Sequence, residues 1–336
     1  MSEESIIIRM GAIHILDGTM GMPVLSDDVL ELTPDVADFI RGHLEKLLQG
    51  DERKKCQFRQ EESEVLTLLK DFREENFLET SRELAGRLYH IMNENIDIPS
   101  GDLLVVSYQS DGEKYLGLLK LNYKETITHR TGVCEAGNAN NIIKYQSTLP
   151  GTGSKLSEAV LINLEDNSVE VVEKKYEVNG AKCNYLSELY LQCHTQMSPK
   201  TKMAVVTRAV EQINRTYYED DLDKQMETKS VIKEELATDG SLDVERICER
   251  MYGEEPDVKE AFQEKMEKYH MRGEVVEPKS TQTVKKFEKQ CLKTDTGIEI
   301  HIPMEEYNNK DRLEFVTNED GTVSLIIRGI GHISTK

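Results

Sequence analysis

The segment closest in composition to a phosphate-binding loop is Gly151-Thr152-Gly153-Ser154-Lys155. A Walker loop needs Gly, four residues, then Gly-Lys-Ser/Thr, so that backbone amides and one lysine surround the phosphates. Here Ser154 precedes Lys155, and Thr148 stands where the first glycine should be. A turn after Pro150 explains the segment better. The eight histidines are spread singly, without an H-E-x-x-H or H-x-H arrangement. Cys193 and His194 are adjacent, but neighbours on a helix point about 100° apart and rarely share a metal. The six cysteines form no C-x-x-C pair, which argues against a zinc ribbon or a disulfide scaffold and fits reduced thiols in a cytoplasm. No G-x-S-x-G elbow is present, and the acidic run Glu219-Asp220-Asp221-Leu222-Asp223 lacks EF-hand spacing. The expectation is no catalysis, no metal and no cofactor.

What charge can still do is contact phosphate. Arg53-Lys54-Lys55, with Arg59, is expected between two helices, and Lys114, Lys120, Lys124 and Arg130 mark a hairpin and its exit. The densest cluster runs from Lys279 to Lys293, with Lys285, Lys286, Lys289 and Lys293 around Phe287 and Glu288 as its one acid. If that stretch is helical, Lys286, Lys289 and Lys293 share a face, being three and four residues apart. A merely solubilising surface is the competing reading of each cluster. A helix–turn–helix is conceivable over Val231 to Tyr252, turning at Thr238-Asp239-Gly240-Ser241. Its second helix carries Asp243, Glu245 and Glu249 against Arg246 and Arg250, which suits protein packing better than a DNA groove.

These clusters sit in an acidic chain of 336 residues and net charge −20. Glu211 to Glu277 carries 20 acidic against 10 basic side chains, half of that net charge. A DNA binder is expected to show a basic footprint, so charge argues against DNA overall and for it only locally. Hydrophobic content of 38% suits a soluble globular protein, and no apolar run approaches a membrane span. Glu3 and Glu4 precede the first apolar stretch, unlike a secretory signal, so export is not expected.

The elements that would carry the clusters follow from pattern. Ser5 to Leu16 reads as a strand, and Pro23 to Leu32 as a second extended piece. Thr33-Pro34 caps a helix whose apolar residues Val36, Phe39, Ile40, Leu44, Leu47 and Leu48 recur at helical spacing. Helices are expected over Glu61 to Phe72 and Asn76 to Asn93. Leu103–Tyr108 and Tyr115–Leu121 form a hairpin around Ser110-Asp111-Gly112. A polar connection runs from Thr131 to Asn141, and a second hairpin turns at Asp166-Asn167. After Lys182 strand signals vanish until Ile298 to Ile302, Leu313 to Thr317 and Val323 to Arg328. This terminal β segment is a candidate to pair with the N-terminal sheet. The expected class is α+β, with antiparallel hairpins, a helical middle and a C-terminal β segment. The expected division is an α+β domain over 1–182, an acidic helical region over 183–278, and a basic helix with β segment over 279–336.

Several stretches resemble the 37-kDa nucleoid-associated family of bacteria. They include the run from Asp102 to Tyr108, that from Tyr115 to Lys124, and that from Leu149 to Ala159 with its strand to Asn163. Glu75 to Ser81, Thr294 to Ile300 and Glu314 to Val323 fit the same pattern. The resemblance spans nearly the whole chain and implies a non-enzymatic, cytoplasmic, nucleoid-located protein with duplex DNA as partner. The family offers no sharply defined site. Lys120 and Lys124 lie inside a matching motif, while Arg53, Lys54, Lys55, Lys285, Lys286, Lys289 and Lys293 are candidates from charge alone. Contact mainly to phosphates is expected, with little sequence preference, in a homodimer. The alternative is an acidic adaptor that reaches the nucleoid through other nucleoid proteins. A hydrolase built on the Asp/Glu-rich segments ranks third.

Overall fold

In the computed structural model the chain divides into two compact units, Met1–Met197 and Ser198–Lys336. The structure describes residues 6–219, 221, 224 and 227–334. Asp220, Leu222 and Asp223 of the acidic run lie outside the described residues, as does Ser5.

The first unit is built on strands β1 (Ile7–Leu16), β2 (Lys54–Phe58), β3 (Gly101–Ser110) and β4 (Glu113–Asn122), then β5 (Lys124–Cys134) and β6 (Gly137–Thr148). It continues with β7 (Ala159–Asn163), β8 (Val169–Val172), β9 (Tyr176–Val178), β10 (Ala181–Cys183) and β11 (Cys193–Thr195). Seven of these make one antiparallel sheet in the order β1-β3-β4-β7-β8-β2-β11. Asp111 and Gly112, at φ of 51° and 91°, make the left-handed turn that a two-residue hairpin loop requires between β3 and β4.

Helices cover both faces of this sheet. Helix α1 (Pro34–Leu48) is capped by Thr33, whose hydroxyl accepts from the Val36 N–H, with Pro34 at its first position. It buries Ile40, Leu44 and Leu47 in one cluster with Leu104, Val106, Leu119 and Leu121. Helices α2 (Glu64–Lys70) and α3 (Phe77–Glu94) supply Leu66, Leu84, Leu88 and Met92 to a second cluster, with Leu103, Val105 and Leu118. Neighbouring residues on one strand thus enter opposite cores, as the period of two demands. That explains why Leu103–Val106 of β3 is an unbroken apolar run.

Several local expectations are corrected. Arg53-Lys54-Lys55 does lie between two helices, α1 and α2, but Lys54–Phe58 there is a strand paired with β8 and β11. The polar stretch Thr131 to Asn141 is the distal half of the β5–β6 ribbon. Cys193–Thr195 is a strand despite the loss of signal after Lys182. Pro23 to Leu32 contributes a single bridge, Ile15 to Val24.

The second unit opens with α4 (Pro199–Tyr217), capped by Ser198. Helices Thr228–Asp239, Val244–Tyr252 and Pro256–Lys268 follow, the last two bracketed by the short paired strands β12 (Leu242–Asp243) and β13 (Val275–Val276). Ile213, Ile232, Ile247, Phe262 and Met266 are buried here, and the Tyr252 ring lies tilted 5.6 Å from that of Phe262 while its hydroxyl donates to Asn214. Two local ribbons complete the unit: β14 (Lys289–Lys293) with β15 (Glu299–Pro303), and β16 (Leu313–Thr317) with β17 (Val323–Ile327). The terminal β segment therefore pairs with itself; the seven-stranded sheet takes its strands from residues 7–195. The class is α+β.

Candidate nucleic-acid interface

The candidate cations differ sharply in their surroundings. Lys120, on β4, faces inward, its side chain 1% exposed. Its Nζ donates to Pro99 O at 2.9 Å, Asn122 Oδ1 at 2.6 Å and Glu158 Oε2 at 3.2 Å. Burial holds its pKa below the ordinary lysine value, against the opposing pull of Glu158. Glu158 also accepts from the hydroxyls of Tyr176 and Tyr185. Lys120 therefore cannot contact DNA: its charge is consumed inside the fold, where a charge persists only when paired and hydrogen-bonded.

Arg53 is also buried, paired to Glu170 and donating to Leu48 O at 2.7 Å. Lys54 reaches the buried Glu173 at 3.0 Å. Of this triad, only Lys55 is exposed to solvent. Lys124, at the base of the β5–β6 ribbon, is exposed and donates to Ser154 Oγ at 2.6 Å.

The Lys285–Lys293 stretch is exposed at all four lysines but is not one helix. A five-residue helix, Thr281–Lys285, ends there, and the chain enters β14 at Lys289. The buried Phe287 and the half-buried Gln290 and Leu292 set the spacing, with strand alternation replacing helical period. Lys289 and Lys293 share one face of the strand, roughly 13 Å apart at about 3.3 Å per residue. Lys293 pairs across the ribbon with Glu299 at 3.2 Å. Lys285, Lys286 and Lys289 have no ion pair among the described residues.

The family model described as nucleoid-associated protein YejK matches residues 12–333. The chain belongs to that family. Among curated proteins, none matches it. Membership of the YejK family gives the protein a nucleoid role, and no helix among the described residues is long and apolar enough to cross a membrane.

Two features of this YejK-family chain escaped the sequence reading. The first is a cavity of about 320 Å³ lined by Lys46, Arg53, Lys155 and Lys174, with Glu52 and Glu173. These residues come from three separate segments, so no local spacing announces them. Lys155 pairs there with Glu52 at 3.3 Å, so the lysine of the glycine-rich turn is held by a carboxylate. The second concerns the helix pair. Thr238 to Ser241 does separate two helices, with Gly240 in the left-handed region, but a tighter junction, Gly253-Glu254-Glu255, joins Val244–Tyr252 to Pro256–Lys268. The latter helix exposes Asp257, Glu260, Glu264 and Glu267 at spacings of three and four. This is one stripe of carboxylates facing solvent.

Proposed function

We propose that the protein binds duplex DNA directly and without catalysis, mainly through phosphates and with little sequence preference. The observation that carries this reading, beside the family's nucleoid association, is the exposed run Lys285, Lys286 and Lys289, free of carboxylate partners among the described residues. Lys293 contributes less, because Glu299 shares its charge. Lys55 and Lys124 are secondary contacts. The exposed helix Pro256–Lys268 is repelled by phosphate, so base readout by that helix is not part of the proposal. A homodimer would double a modest patch and raise avidity without new contacts.

The carboxylate stripe on that helix favours a second reading, an adaptor that docks basic nucleoid proteins. The two readings separate in one titration. Purified protein is mixed with a labelled duplex of mixed sequence at about 50 mM salt, where phosphate contacts are strong. Saturable binding is expected; its absence transfers the nucleoid role to the adaptor.

A further inference from the structure

The β5–β6 ribbon is unlike the rest of the first unit. Nearly every residue from Lys124 to Thr148 is exposed. Each strand pairs only with the other, leaving both edges of the ribbon open. A lone two-stranded hairpin is marginal in water, and long open edges invite pairing. Yet the register is regular from Thr126↔Tyr145 to Cys134↔Gly137. Ile127, Val133 and Ile142 stand on one face, 73%, 87% and 82% exposed. That face is set by alternation, with His129 opposite Ile142 and Lys144 opposite Ile127.

We infer that this ribbon is a dimer arm, its Ile127/Val133/Ile142 face packing on the same face of a second copy of the chain. The inference rests on the homodimer proposed above. Charge selects the occupant. The ribbon holds Lys124, Arg130 and Lys144 against Glu125 and Glu135, and Glu125 pairs with Lys144 at 2.6 Å. A nearly neutral arm has neither the surplus of cations that a polyanion needs nor an excess of acid for a basic partner. An apolar patch related to itself by a two-fold axis is complementary by construction. Area sets the strength. An eleven-residue ribbon is about 35 Å long and two strands, about 10 Å, wide, so two such faces bury on the order of 1,000 Å² in total. That is the low end for a specific interface, so a weak, concentration-dependent dimer is expected.

Sedimentation velocity of the full chain from 1 to 200 µM tests the inference. Wild type is expected to pass from monomer to dimer. The double variant Ile127→Asp/Ile142→Asp should stay monomeric, with circular dichroism and thermal melting unchanged at low concentration, because both side chains are already solvated in the monomer. Tyr145→Asp, on the opposite face, should dimerise as wild type does. A wild type that remains monomeric overturns both the dimer and the arm. A wild type that dimerises together with an unaffected double variant overturns the arm alone. A monomeric wild type whose DNA affinity falls in the double variant would reassign the ribbon to nucleic acid.

Discussion

Lys120 and Glu158 form an ion pair 3.2 Å long in which neither side chain is more than 1% exposed. The lysine lies in a stretch that matches the family's pattern, yet it serves the fold. Lys120→Ala leaves Glu158 buried without its counter-ion, and a loss of roughly 3–5 kcal/mol is expected. Urea denaturation should register that loss. A Lys120→Ala protein that remains folded with unchanged stability, but binds DNA less well, contradicts the assignment.

A second prediction concerns acid. His14 is buried, with its Nδ1 accepting from the Ser26 N–H at 3.1 Å and its Nε2 3.1 Å from Ser81 Oγ. Ser81 already donates to Leu78 O, so the imidazole fits as the neutral form with its proton on Nε2. Burial, with the Arg82 charge nearby, lowers its pKa to about 4 from 6.5. The unfolded chain therefore binds a proton that the folded chain refuses between these values. The sign follows: this contribution is intact above pH 6.5 and is lost as pH falls towards 4, by on the order of 2–3 kcal/mol. Chemical denaturation at stepped pH should show that fall, and His14→Gln should flatten it. An equal pH dependence in the variant would show that other groups cause it.

The sequence and the fold agree where signals are local. Thr33-Pro34 with its apolar spacing marks α1 to within a residue or two, and Ser110-Asp111-Gly112 marks the β3–β4 turn. They part where partners are distant. Glu158 lies 38 residues from Lys120, and Glu173 lies 119 from Lys54, so cations chosen by charge alone include some already neutralised. Lys54 and Lys55 also disguise β2, whose residues alternate between core and solvent. Asn138, Asn140 and Asn141 have low strand preference, so the distal ribbon reads as a loop until its pairing is seen. Lys286, Lys289 and Lys293 fit a helical face by spacing. The inward turn of Phe287, Gln290 and Leu292 shows that the chain follows another period.

The acidic stripe gives a third prediction. Reversing Asp257, Glu260, Glu264 and Glu267 to lysine removes repulsion from phosphate without touching the proposed contacts. Fluorescence anisotropy at low salt should report tighter DNA binding, with the difference shrinking as salt screens it. Weaker binding by this variant would mean that the stripe itself lies at the interface.

The central claim is that Lys285, Lys286 and Lys289, with a smaller share from Lys293, meet DNA phosphates. Its most direct test is the salt dependence of affinity for wild type and for the variant with all four lysines changed to alanine. Each neutralised phosphate contributes about −0.9 to the slope of log affinity against log salt, so losing three full contacts should reduce its magnitude by roughly 2.7. The weakening should be similar on unrelated duplex sequences, with melting temperature unchanged because these side chains are exposed. A quadruple variant that keeps the full wild-type slope would contradict this patch and move the search to Lys55 and Lys124.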